Sequence, residues 1–332
     1  HIVIRVRRRA KMNMRFVDLH CDTLLEMYSK NRDLAELDGH IDLAALRQGG
    51  ALMQCFAAFL PTYDCAQRHG VTLPPYELFH AMADVFDRQM EKYKDEIAPA
   101  RCYADVQKNA AAGKISAMLT VEDAVLLDGK IERVDEMYAR GVRMTALTWN
   151  YENSLGFPNS PDGALHAKGL KPFGIAAVER MNELGMIVDV SHLSEGGFWD
   201  VSRYSKRPFA ASHSCARALC DHSRNLTDAQ LKALGDAGGV CGVNFYSAFL
   251  NGREDYTLNA DIVRHMQYIK DKAGIAAVAL GSDFDGIDCA LEMGGYAGMP
   301  SLAEAMSGAF TDDEIDLICG KNALRLLRDA VG

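Results

Sequence analysis

Short apolar runs and amphipathic stretches take turns along the whole chain. The runs Phe16–Asp22, Ala51–Leu60, Ile115–Glu122, Arg143–Trp149, Met186–His192, Pro208–His213, Gly239–Phe245 and Ala277–Asp283 are mostly rich in Val, Ala, Leu and Met. They lack a clean two-residue alternation, as expected of parallel strands buried on both faces. Between them, Pro75–Asp95, Ile131–Arg140, Pro172–Leu184, Asp228–Ala237 and Leu258–Ala273 space their apolar residues by three and four, which predicts helices. Gly113, Gly141, Gly185, Gly239 and Gly274 stand where a helix closes before the next strand begins. Eight strand–helix units in series predict a closed (β/α)8 TIM-type barrel more than an open doubly wound sheet. No G-x-G-x-x-G follows the first run, which weakens a dinucleotide-binding reading further. Glu152–Lys171 and Cys289–Ser307 read as long irregular connections.

A length of 332 residues suits one barrel, and with no linker or repeat in view the domain is read as 14–332. Residues 1–13 read as an extension, and their cluster Arg5, Arg7, Arg8, Arg9 and Lys11 as a solvated tail. The net charge of -9 argues against a nucleic-acid partner, which needs clustered Lys and Arg. No apolar run approaches the roughly 20 residues that span a bilayer. Nine scattered cysteines, with no apolar leader before them, are expected to be reduced thiols in a soluble cytoplasmic protein.

The chemistry lies at the strand ends. The first run closes in D-L-H-C-D-T-L, placing His20 and Asp22 two apart, a spacing that puts both side chains on one face of a strand. Glu122, His192, His213 and Asp283 end four other runs. Singly, each has an ordinary reading: a capping pair, a helix start, a hydrogen-bonded core histidine, a turn former. Jointly they converge on the C-terminal rim of a barrel, where this fold gathers catalytic groups. Imidazoles and carboxylates suit two divalent ions, zinc foremost, with manganese and cobalt also compatible. His20 and Asp22 are assigned to one ion, His192 and His213 to the other, and Glu122 to a bridge between ions about 3.5–4 Å apart. Such a pair lowers the pKa of a shared water to make a bridging hydroxide, and polarises a carbonyl. Asp283 is then placed as general base and as donor to the leaving amine.

These residues sit in a longer set of matches. D-L-H-C-D-T (18–23), T-V-E-D-A (120–124), G-M-I-V-D-V-S-H-L-S (185–194), P-F-A-A-S-H-S (208–214), S-R-N-L-T-D (223–228), G-V-N-F-Y (242–246) and G-S-D-F-D-G (281–286) resemble the membrane (renal) dipeptidase family of zinc peptidases, within the amidohydrolase superfamily. The resemblance runs in order through nearly the whole chain after Met14. It implies a (β/α)8 barrel, metal ligands at His20, Asp22, Glu122, His192 and His213, and Asp283 rather than Asp285 as the catalytic aspartate. It also implies that Arg224 clamps a substrate carboxylate, a task suited to a planar guanidinium fork, with Tyr246 as a second contact. The implied reaction is hydrolysis of dipeptides, often with a D-residue at the C-terminal end, and a homodimer is expected by analogy.

One position departs from the family. A histidine that helps bind the developing oxyanion after strand four is replaced by Trp149, in L-T-W-N-Y-E-N-S. Asn150, Tyr151 or His166 are the expected substitutes, since losing such a donor costs on the order of a hundredfold in rate. Two other readings stay open: a binuclear deacylase, cyclic-amide hydrolase or phosphoesterase on the same barrel, and a barrel that only holds metal.

Overall fold

The computed structural model describes residues 14–253 and 255–332, so the expected extension at 1–13 lies outside the described residues. Eight parallel strands close on themselves: β1 (Phe16–Asp18), β2 (Ala51–Phe59), β3 (Ile115–Glu122), β4 (Met144–Ala146), β5 (Ile187–Asp189), β6 (Ala210–Ser214), β7 (Val240–Val243) and β8 (Val278–Leu280). Each pairs with the next, and β8 returns to β1 through Asp18 opposite Leu280. The longest register, Met53 opposite Ser116 through Phe59 opposite Glu122, joins β2 to β3. The predicted barrel is present, on shorter strands than the apolar runs suggested.

The shortening has a physical cause. The ladders stop at Asp18, Asp189 and Leu280, and the chain then turns rather than staying extended. His192 and Asp283 take positive φ values of 67° and 63°, a region that Asp, Asn and His visit more readily than other side-chain-bearing residues. A barrel strand thus delivers its polar residues through a tight turn just beyond its hydrogen-bonded end.

Two apolar clusters hold the fold. One fills the barrel itself, with Val17, Leu19, Met53, Cys55, Met118, Met144 and Ile187 packed against Ala323, Leu326, Leu327 and Ala330 of the C-terminal helix Asn322–Ala330. Those four helix positions are spaced three, four and seven apart, so one face turns inward against the barrel core. Asn322 ties the helix to β8 by donating to the Val278 carbonyl at 2.8 Å. The larger cluster lies between the strands and the surrounding helices, and burial of its many Leu, Ile, Phe and Met side chains is the main force for closure.

Most predicted helices are found close to their expected bounds, such as Pro75–Lys92, Pro172–Leu184 and Asn259–Ala273. Two expectations need correction, and one strand was not expected. Gly238, not Gly239, takes the positive φ of 72° before β7, while a side chain at Gly239 would strike the Phe209 carbonyl at 2.4 Å. The 289–307 connection is largely ordered, with a helix at Met299–Met306 that carries Pro300 in its first turn, where the missing N–H costs nothing. A short strand at Ile97–Pro99 pairs with the start of β3, ahead of the point where β4 takes over that edge.

Candidate metal centre

All six strand-end residues meet at one point on the C-terminal rim. His20 Nε2 lies 3.4 Å from Glu122 Oε2, 3.6 Å from Asp22 Oδ2 and 3.8 Å from Asp283 Oδ1. On the other side of the same carboxylate, Glu122 Oε1 is 2.9 Å from His192 Nε2 and 3.5 Å from His213 Nε2. Glu122 therefore offers one oxygen to each half of the cluster. Three interlocking sets, His20/Asp22/Glu122, Glu122/His192/His213 and His20/His213/Asp283, each bring their donor atoms within 4.8 Å of one another.

The surrounding hydrogen bonds decide which atoms face inward. Asn150 Oδ1, an acceptor, sits 3.0 Å from His192 Nδ1, so that nitrogen carries the proton and Nε2 presents a lone pair. Ser212 directs its hydroxyl hydrogen to Asp189 and lies 2.7 Å from His213 Nδ1, so His213 likewise turns a bare Nε2 inward. The two bare nitrogens stand 3.0 Å apart. His20 Nε2 and Asp22 Oδ1 are buried with no hydrogen-bond partner. Lone pairs and carboxylates packed face to face, with polar atoms unsatisfied, are what a cation-binding cradle requires. The residues fit divalent metal.

The electrostatics agree. Burial, with lesser contributions from nearby cations, holds His192 and His213 well below the usual imidazole range, keeping them neutral ligands. Burial also disfavours a charged His20, but the neighbouring Glu122 and Asp22 outweigh it and hold His20 well above that range. Glu122 is pushed up to about 8 by burial and by the Asp22 charge. These are the strains of titratable groups crowded into one dry site, and a bound cation relieves them.

Asp283 is raised to about 6 by burial, against the pull of His20, and Asn244 donates to its Oδ2 at 2.8 Å. Asp285 turns away. It accepts from the Thr23 hydroxyl and from the His40 backbone N–H, both at 2.6 Å, and so braces the loop after β8. Gly286 must lack a side chain, because a Cβ there would lie 2.0 Å from Asp22 Oδ2. Two matching clamps set the ligand-bearing turns. Ser282 donates to Asp18 between β8 and β1 at 2.6 Å, and Ser212 donates to Asp189 between β6 and β5.

A cavity of about 420 Å³ opens over the cluster, and Arg224, Tyr246, Asn150 and Trp149 all line it. Arg224 is buried, donates from Nη2 to the His213 carbonyl at 3.2 Å, and leaves Nε and Nη1 with no protein partner. Tyr246 stands beside Phe249, with ring centroids 5.0 Å apart. Asn150, expected as an oxyanion donor, has its carboxamide oxygen engaged by His192. His166 is not over the metals: it binds Arg217 at 3.0 Å beside a separate cavity of about 650 Å³ that contains none of the cluster residues. Trp149 packs on Phe59, centroids 4.9 Å apart, and gives that side of the cavity an aromatic wall.

Asn244, Ser212 and Asp189 were missed as site residues, although each lies inside a matched motif. Asp123 was missed too. It takes a positive φ of 68° and accepts from Asn153 at 2.8 Å, which anchors the loop bearing Trp149 and Asn150.

A parallel barrel with buried imidazoles and carboxylates converging at its C-terminal mouth defines a metal-dependent hydrolase. The chain belongs to the membrane dipeptidase family, peptidase family M19, whose family model matches residues 5–331, and its class is that of a metallo-dipeptidase. It is 31% identical over 306 residues to dipeptidase aclJ of Aspergillus oryzae, covering 90% of this chain and 71% of that protein. It is 41% identical over 237 residues to an uncharacterised protein of the pqqA 5′ region of Klebsiella pneumoniae, covering 68% and 86% respectively. Its fold matches a metallopeptidase from Rhodobacter sphaeroides, solved with a phosphinate mimic of L-Ala-D-Ala, with a TM-score of 0.87 at 27% identity and coverage of 96% and 99%. No helix among the described residues is long and apolar enough to cross a membrane.

Proposed function

We propose that this chain hydrolyses dipeptides bearing a free C-terminal carboxylate, L-Xaa-D-Xaa compounds among them, on a pair of divalent ions of which zinc is the foremost candidate. The observation that carries this reading is Glu122 reached from both sides, at 3.4 Å by His20 and 2.9 Å by His192, across one cavity from a buried arginine with open donors. His20 and Asp22 would hold one ion, His192 and His213 the other, with Glu122 between them. Bound there, the ions would activate a water and polarise the scissile carbonyl.

The remaining residues act directly. Asp283, held by Asn244, takes the proton of the attacking water and passes it to the leaving amine. Arg224 meets the substrate carboxylate with its open Nη1 and the second hydrogen of Nη2, and so sets the register of the amide bond over the metals. Tyr246 flanks the same end. Asn150 keeps His192 in its ligating tautomer. The nine unpaired cysteines support a reducing, cytoplasmic setting. The relative solved with the L-Ala-D-Ala mimic supports a D-residue at the C-terminal position.

The test is hydrolysis of a stereochemically complete dipeptide panel by metal-loaded protein, beside N-acyl amino acids, a cyclic amide and p-nitrophenyl phosphate. Dipeptide turnover, with preference for a free carboxylate, is expected. Turnover of the acylated, cyclic or phosphate compounds with every dipeptide inert would transfer the site to a different reaction.

A further inference from the structure

The cavity is charged at both ends, and only one end is accounted for by the reading above. Arg224 follows β6. Strand order around the closed barrel puts the residues that follow β2 diametrically opposite, with the metal ligands between. A dipeptide whose carboxylate pairs with Arg224 therefore lays its N-terminal residue toward that far wall. The wall is a short helix, Tyr63–Arg68, which brings Cys65 and Arg68 to the cavity beside Phe59.

Arg68 is the distinctive group there. Its guanidinium lies beside the buried Cys65 thiol, and no carboxylate comes within ion-pair distance of it among the described residues. Across the mouth, Asp288 also lines the cavity without an ion-pair partner among the described residues. Glu26, its acidic neighbour in the lining, is already neutralised by Lys30. An unpaired cation and an unpaired anion thus line the same cavity as Arg224, the cation at the end remote from it. The N-terminal residue of a dipeptide brings an ammonium for the anion, and an acidic side chain would complete the set by meeting the cation.

Resting on the dipeptidase reading, we propose that Arg68 reads the first residue's side chain and that the chain favours dipeptides beginning with Asp or Glu, with Asp288 taking the α-ammonium. Phe59 and Trp149 supply the apolar flank along which the methylenes of such a side chain would lie. Because Arg68 is partly open to water, the selectivity should be modest, about fivefold for the acid over its neutral isostere. It should also weaken with added salt.

The experiment compares kcat/KM for L-Glu-D-Ala, L-Gln-D-Ala and L-Lys-D-Ala in the metal-loaded enzyme and in Arg68→Gln and Arg68→Glu, with L-Ala-D-Ala as the uncharged reference. The natural chain should prefer Glu over Gln, Arg68→Gln should bring that ratio close to one, and Arg68→Glu should favour Lys over Glu. A Glu-to-Gln ratio near one in the natural chain, or one that survives Arg68→Gln, overturns the assignment while hydrolysis of L-Ala-D-Ala leaves the dipeptidase reading standing. If no dipeptide is cleaved, both fail. The ratio is taken within each variant, so a general loss of activity does not move it.

Discussion

Arg224 offers the sharpest perturbation, because its burial and its open donors make opposite demands. A guanidinium sealed from water with Nε and Nη1 unpaired costs stability, and burial pulls its pKa below the usual arginine range. Replacing it by Met, similar in length and uncharged, should leave the fold equally stable or more so. The cost should fall on catalysis. Two charge-assisted hydrogen bonds to a carboxylate in a dry site are worth about 3–5 kcal/mol when one partner is removed, or between about a hundredfold and a few thousandfold in kcat/KM. The assay is a double cycle: natural chain and Arg224→Met, each with L-Ala-D-Ala and with its C-terminal amide, at matched metal content. The natural chain should favour the acid strongly, and the variant should treat acid and amide nearly alike. Equal losses on both substrates, or a variant that still prefers the acid, would refute the carboxylate clamp and leave Arg224 as a support for the His213 carbonyl.

Asp283→Asn should keep its metal content and thermal midpoint while kcat falls by about a hundredfold or more, read by elemental analysis beside initial rates; retention of full rate would remove Asp283 from proton transfer. Asn150→Ala and Ser212→Ala each free one ligand histidine to adopt the wrong tautomer, so metal affinity should weaken by about ten- to a hundredfold, measured by competition with a chelator, with activity substantially restored by excess metal. Buried His265 accepts from Ala216 N–H at 3.1 Å and donates to the Leu250 carbonyl at 2.8 Å, and burial holds its pKa down to about 4. The folded chain therefore binds fewer protons than the unfolded one between that value and the ordinary 6.5. This group leaves stability intact above pH 6.5 and lowers it as the pH falls toward 4. Its share between pH 6.5 and 5 is about 2 kcal/mol, and His265→Gln should flatten that acid limb in denaturant melts of the metal-free protein.

Much of the site was legible because its residue types are costly where they stand. A His or Glu at the end of a Val- and Ala-rich run pays for burial, and several of them at the same end of successive runs leave few explanations besides a shared cation. Eight runs with intervening helical spacing led to the barrel for the same reason: burial on both faces needs a continuous apolar strand. What stayed hidden depends on backbone geometry and on contacts distant in sequence. The left-handed turns at His192 and Asp283 look like strand continuation in a one-dimensional pattern. Asn150 reads as a free loop amide until His192, 42 residues away, is folded against it. Arg68 lies in a polar stretch, Tyr63–Arg68, with nothing to mark it until β2 and β6 are known to stand on opposite sides of the barrel.

Metal stoichiometry against turnover tests the central claim most directly. Metal-free protein is titrated with zinc, and in parallel with manganese and cobalt, while L-Ala-D-Ala hydrolysis and bound metal are followed together for the natural chain and for Glu122→Gln. The account predicts that activity rises to a plateau at two ions per chain, and that Glu122→Gln loses both tight metal binding and turnover. Full activity at one ion per chain, or a Glu122→Gln variant that binds two ions and cleaves the dipeptide at the natural rate, would contradict it.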